Sequence, residues 1–255
     1  MFILGLIVVT YVIYYLINWY FLPKPPMRIG PEEMPLSKLT QVISSEQLKA
    51  SWTGTAGSSL MFYLYPVIND RTSVSGNEYV SVVQIGTKQN LKILVAPDAG
   101  RGYGMAPAVL EVYVSGQPTP ELINIPYIPL QRWTAVGIVK YGRKFNIYTN
   151  GKLTVSHTCT AMPLFDNQPL RIGDPRMGGK IALMSLAPYA LQIPEMRSMV
   201  ESTVDTEGKP YLSSGVMSLF SIFHWPNLNF LWCPGGNCNV PKKTNPLEEW
   251  TSPYA

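Results

Sequence analysis

The chain has 255 residues, only 14% of them charged, and a net charge of +4. Globular domains usually carry about a quarter charged residues, so this surface suits burial against partners better than free solution. No basic run exceeds two residues, as at Lys242-Lys243, which excludes a nucleic-acid footprint.

Residues 2–22, FILGLIVVTYVIYYLINWYFL, are uncharged and mostly apolar. As a helix they would measure about 30 Å, the thickness of a bilayer hydrocarbon core. Thr10 and Asn18 are the strongly polar side chains in it, and Trp19 and Tyr20 lie near its end, where amphipathic rings favour the interface. No Lys or Arg precedes the run, and Pro23-Lys24-Pro25-Pro26 follows it instead of a small-residue cleavage site. Residues 1–23 are therefore expected to be an uncleaved single-pass transmembrane anchor. Lys24, Arg28 and Lys38 all follow it, which places the N-terminus outside and the body on the cytoplasmic side.

Residues 24–50 read as a Pro-rich linker that holds the body off the bilayer, with a short helix capped by Ser44 or Ser45. From residue 51 the pattern becomes β. Segments rich in Val, Ile, Tyr and Phe recur at 60–67, 79–86, 91–97 and 109–116, then at 133–141, 144–150, 152–158, 169–173 and 180–188. This spacing predicts an antiparallel sandwich or barrel. Asn150-Gly151 is the strongest hairpin signal, because both residues tolerate positive φ. Alternation puts Phe145 and Ile147 on one face and Asn146 and Tyr148 on the other.

Four motifs in register carry a family resemblance. They are Trp133-x-x-Val136-x-Ile138, Phe145-x-Ile147-Tyr148-x-Asn150-Gly151, Pro169-Leu170-Arg171-Ile172-Gly173, and Gly179-Lys180-Ile181 followed by Ala190-Leu191. Together they resemble the concanavalin A-like jelly rolls, especially the laminin G and pentraxin branch. The resemblance implies an all-β, concanavalin A-like antiparallel β-sandwich over residues 51–200. It also keeps calcium or sugar binding open, with Asp166, Asn167 and Asp174 as calcium candidates and Tyr103 or Tyr141 as rim aromatics. Two Asp and one Asn fall short of the six to eight oxygens calcium takes.

Catalysis finds no footing. The glucanase members of that family use carboxylates alternating along one strand, and no such strand is present. Asp205-Thr206-Glu207, with Glu201 upstream, reads as a solvated turn, and Glu111 has no partner two residues away. His157 stands beside Cys159 in a strand, where sheet packing explains it. Gly100-Arg101-Gly102-Tyr103-Gly104 precedes a strand, so it reads as a turn and not a phosphate cradle. The chain is expected not to be an enzyme, with no catalytic residue and no cofactor.

The three cysteines, Cys159, Cys233 and Cys238, are too few for a secreted disulfide framework. Cys233-Pro-Gly-Gly-Asn-Cys238 leaves open a turn with free thiols, a small disulfide loop, or two metal ligands. Residues 201–255 form an aromatic, weakly charged arm whose Trp225, Trp232 and Trp250 are candidate partner-binding anchors.

These features describe a non-catalytic, membrane-anchored structural or interaction protein. By analogy it looks like a minor capsid protein of a large DNA virus, tying the shell to an internal membrane. The expected partners are the lipid bilayer and other capsid or coat proteins, with no nucleic acid. The alternative is a membrane-tethered carbohydrate-binding or adhesion module, which needs an outward-facing body and a glycan site on the sandwich rim.

Overall fold

The computed structural model describes residues 10–14, 26–67, 78–95, 104–205 and 207–212. Its strands are β1 (Met27–Arg28), β2 (Glu33–Pro35), β3 (Thr40–Ile43), β4 (Ser58–Val67), β5 (Glu78–Ile85), β6 (Gln89–Val95) and β7 (Met105–Val112). They continue with β8 (Glu121–Pro129), β9 (Thr134–Tyr141), β10 (Lys144–Thr149), β11 (Lys152–Thr158), β12 (Leu170–Ile172) and β13 (Gly178–Ala187). Two helices accompany them, α1 (Ser45–Trp52) and α2 (Ile193–Thr203).

The strands form two antiparallel sheets. One runs β1-β13-β4-β9-β10-β11, with β2 also on β13; the other runs β3-β12-β5-β6-β7-β8. Alternating side chains from both sheets meet in one core. Leu60, Phe62, Leu64, Phe145 and Ile147 come from the first sheet, Val80, Leu91, Ile93, Leu110 and Ile125 from the second. Burying each such side chain contributes about 1.5–3 kcal/mol. The all-β antiparallel jelly-roll sandwich is thus present.

A second apolar layer explains why β4 and β9 show so little alternation. Met61, Tyr63, Val139 and Tyr148 point away from the first core and are covered by Met196 and Val200 of α2. The Tyr63 hydroxyl also pairs with Thr203, tying the end of α2 to β4. The helix starts where Glu195 Oε2 accepts the Gln192 N–H at 2.7 Å, with Pro194 in its first turn.

Helix α1 is capped by Ser44, whose hydroxyl accepts the Gln47 N–H, and it buries Leu48 and Trp52. The Trp52 Nε1–H donates to Gln89 Oε1 at 2.8 Å, and the Trp52 carbonyl accepts from Lys140 Nζ at 2.7 Å. Burial lowers the Lys140 ammonium to about 8, below its ordinary value of about 10.4. Between those values the unfolded chain binds more protons, so stability from this group rises with pH from about 8 and is absent below it. Replacing Lys140→Met should remove that rise. The difference in urea midpoint between wild type and variant is expected to change across pH 8 to 10 and stay flat at lower pH; a flat difference throughout would contradict the burial.

The Asn150-Gly151 turn joins β10 to β11 with φ of 50° and 74°. A Cβ on Gly151 would also sit 3.2 Å from the Arg197 Cα. Gly151→Val should therefore cost about 1–2 kcal/mol. Thermal melting of the full chain checks this, and an unchanged midpoint would be inconsistent with the turn.

One expectation needs correction in detail, and one strand lies beyond the expected set. Residues 27–43 are not merely a spacer, because β1 and β2 pair with β13 and β3 pairs with β12. Residues 121–129 form a strand, β8, whose Pro126 falls where the register with β7 shifts; as an edge strand it tolerates the lost donor. Of the expected anchor, residues 10–14 are described and helical, and the rest lies outside the described residues. Among the described residues no helix is long and apolar enough to cross a membrane.

Candidate functional site

The β8–β9 connection is held at three points. Gln131 adopts φ of 56° and donates its N–H to the Pro66 carbonyl at 2.8 Å, while the Leu130 N–H donates to Gly104 at 2.7 Å. Pairing of Leu64 with Thr134 then brings Trp133 beside Tyr65, with ring centroids 5.3 Å apart and planes tilted by 48°. On the other side of β9, Asn150 exchanges bonds with Ala135, its N–H donating at 2.8 Å and its Oδ1 accepting at 3.0 Å.

These elements frame a cleft of about 1090 Å³. That is at the upper end of small-molecule sites, about 300–1,000 Å³. Tyr65, Leu130 and Trp133 give it an apolar wall; Gln131 and Asn150 add neutral polar groups, and Arg132, Glu207 and Lys209 charged ones. Glu33 and Lys180, also at the cleft, neutralise each other at 2.7 Å. The Thr134 hydroxyl is buried without a partner among the described residues, but Thr134 lies in step with Val136 and Ile138 and opposite Leu64, so it faces the core and not the cleft.

The calcium candidates are placed apart. Asp166 accepts the Thr87 N–H at 3.0 and 3.1 Å, just past the end of β5. Asp174 is held by the Arg176 side chain at 2.8 and 2.9 Å, which keeps its carboxyl below the usual range. Arg176 also pairs with Glu78 at the start of β5. The two carboxylates thus lie about a strand length apart, and Asn167, next to Asp166, is exposed. Tyr141 is exposed at the far end of β9 from Trp133. Tyr103, Trp225, Trp232 and Trp250 lie outside the described residues.

The carboxylates considered for catalysis have other tasks. Glu111 pairs with Lys92 at 2.8 Å, and Asp205 accepts the Glu207 and Lys209 N–H groups in a turn. His157 Nε2 lies 3.1 Å from Glu121 Oε2, with Cys159 beside them. Burial and the Glu121 carboxylate push the Cys159 thiol up to about 11. A nucleophilic cysteine needs the opposite shift, so this grouping is not an activated thiol. The described residues form no catalytic constellation.

Sequence reasoning met Trp133 and Asn150 only as fold motifs and did not single out Tyr65 or Gln131. The signal available was an aromatic residue opening a strand directly after Leu130-Gln131-Arg132, where a loop meets the sandwich rim.

No family profile and no curated protein matches the chain. Among solved structures, it is similar to the binding domain of Paraclostridial Mosquitocidal Protein 1, with 13% identity, a TM-score of 0.50, and coverage of 74% of this chain and 50% of that one. It is also similar to the receptor binding domain of botulinum neurotoxin C/D mosaic serotype, with 14% identity, a TM-score of 0.47, and coverage of 72% and 48%. A third is the botulinum neurotoxin serotype D ligand binding domain in complex with N-acetylneuraminic acid, at 16% identity, TM-score 0.47, and coverage of 74% and 48%. The chain spans about half the length of these structures. At 13% identity the likeness to the first of these establishes the fold alone, an all-β antiparallel jelly-roll sandwich.

Proposed function

We propose that the chain is a non-catalytic, membrane-tethered carbohydrate-binding module whose glycan site is the cleft at Tyr65 and Trp133. The observation that carries this reading is the aromatic wall that Tyr65 and Trp133 form in a cleft of about 1090 Å³. A sugar ring offers both an apolar C–H face and a rim of hydroxyls. The first suits Trp133 and Tyr65, whose rings combine apolar area with a polar tip. The second suits the Gln131 and Asn150 amides.

The tether is the apolar run at residues 2–22. A glycan site calls for an outward-facing body, against the charge bias of Lys24, Arg28 and Lys38. Arg28 belongs to β1 and pairs with Glu32, and Lys38 lies between β2 and β3, so both are built into the folded domain. Long domains translocate largely regardless of charge. A Cys233–Cys238 disulfide in native material is expected on this reading. The shell-scaffold reading rests on the arm tryptophans outside the described residues, whereas the cleft lies within the sandwich.

A glycan array probed with the full-length protein in nanodiscs tests the proposal, using neutral and acidic glycans, sialylated ones included. Binding to a structurally related subset is expected. Uniform failure to bind would overturn the reading.

A further inference from the structure

We propose that Glu121, His157 and Cys159 form a zinc site that staples the two sheets together at one edge of the sandwich. Glu121 opens β8, the edge strand of one sheet, and His157 lies in β11, the edge strand of the other. Cys159 follows directly after β11. The two edges lie against each other, which brings one oxygen, one nitrogen and one sulfur within 4.8 Å of one another.

The spacing suits a small tetrahedral ion. With Zn–N and Zn–O bonds of about 2.0–2.1 Å, two ligand atoms of a tetrahedron stand about 3.3 Å apart; His157 Nε2 and Glu121 Oε2 are at 3.1 Å. The carboxylate is already oriented from behind. Its Oε1 accepts the Thr160 N–H at 3.0 Å and the Thr160 hydroxyl, leaving Oε2 toward the histidine. Such supporting bonds are what fix ligands at metal sites. Cys159 is held through its N–H to the Arg143 carbonyl at 2.9 Å.

The donor set selects the ion. Thiolate and imidazole together favour zinc over calcium or magnesium, which prefer oxygen alone. Binding replaces the thiol proton, releasing one H⁺ as the Zn–S bond forms, and histidine enters neutral. A water completes the fourth position. The Arg143 guanidinium, which donates to the Thr160 carbonyl at 3.1 Å, sits close enough to favour the thiolate while opposing the cation. Three ligands with two formal negative charges outweigh it. This site is separate from the Trp133 cleft and does not depend on the glycan reading.

The test is a cobalt and zinc titration of the full-length protein in nanodiscs, stripped of metal beforehand. A Cys233→Ser/Cys238→Ser background removes the other thiols. One equivalent of cobalt should give a thiolate-to-metal charge-transfer band that zinc abolishes, and zinc should raise the melting temperature reversibly with chelator. Cys159→Ser should eliminate the band. His157→Ala, at a partly exposed position, should keep the circular dichroism spectrum and bind zinc at least about tenfold more weakly. A background protein with no thiolate band, a band that survives Cys159→Ser, or a folded His157→Ala variant with unchanged affinity would each overturn the site.

Discussion

Trp52→Ala is expected to cost about 3–5 kcal/mol through the cavity it leaves, a large part of the 5–15 kcal/mol typical of a domain. Trp52 is completely buried at the end of α1, a helix that packs on β4 and β13, and it belongs to the main core. Its indole also holds Gln89, which in turn donates to the Leu164 carbonyl at 3.2 Å. Truncation therefore strands a buried amide oxygen, adding about 1–3 kcal/mol. Urea unfolding of the full chain should show a midpoint far below wild type with an unchanged slope. Trp52→Phe, which keeps much of the volume, should lose markedly less. A variant as stable as wild type would place Trp52 outside the core.

Trp133→Ala is expected to act chiefly on binding, at a smaller cost to the fold than Trp52→Ala, because Trp133 also packs on the second apolar layer. The side chain is only partly buried and meets Tyr65 at the cleft. Losing an aromatic anchor in a binding site typically costs at least about 2 kcal/mol, or about 30-fold in Kd. Isothermal titration with a glycan selected by the array should show that loss in a variant that still unfolds cooperatively, with a melting temperature above that of Trp52→Ala. Tyr141→Ala, at the opposite end of β9, should bind normally. Equal affinities for wild type and Trp133→Ala would remove the cleft from consideration.

The parts of the fold legible in the sequence are those that local chemistry decides. Asn150-Gly151 announced its turn because few other pairs accept positive φ at both positions. Phe145, Ile147 and Tyr148 announced their faces by alternation, and Ser44 announced α1. Strand β8 was hidden because Pro126 and Pro129 interrupt its pattern, and an edge position tolerates them. Strands β1 to β3 were hidden by brevity and by neighbouring prolines, since two to four residues carry no readable period. Helix α2 carries its signals in the sequence as well: Pro194 and Glu195 in its first turn, then Met196 and Val200 four residues apart on one face.

The site was less legible for a different reason. Tyr65, Gln131 and Asn150 are distant in sequence and meet only because β9 lies between β4 and β10. Glu121 and His157 are likewise 36 residues apart and meet only where two sheet edges approach. Such juxtapositions follow from topology, which a resemblance in four strand motifs indicates only coarsely.

The central claim is that a glycan sits on Trp133. The direct measurement is fluorine NMR of the full-length protein labelled with 5-fluorotryptophan, which gives one signal for each of the six tryptophans. A Trp133→Phe variant assigns the relevant signal, and a glycan selected by the array is then titrated in. A shift or broadening confined to the Trp133 signal is the predicted result. Saturable binding that leaves Trp133 unmoved, or that moves Trp225, Trp232 or Trp250 instead, would contradict the account.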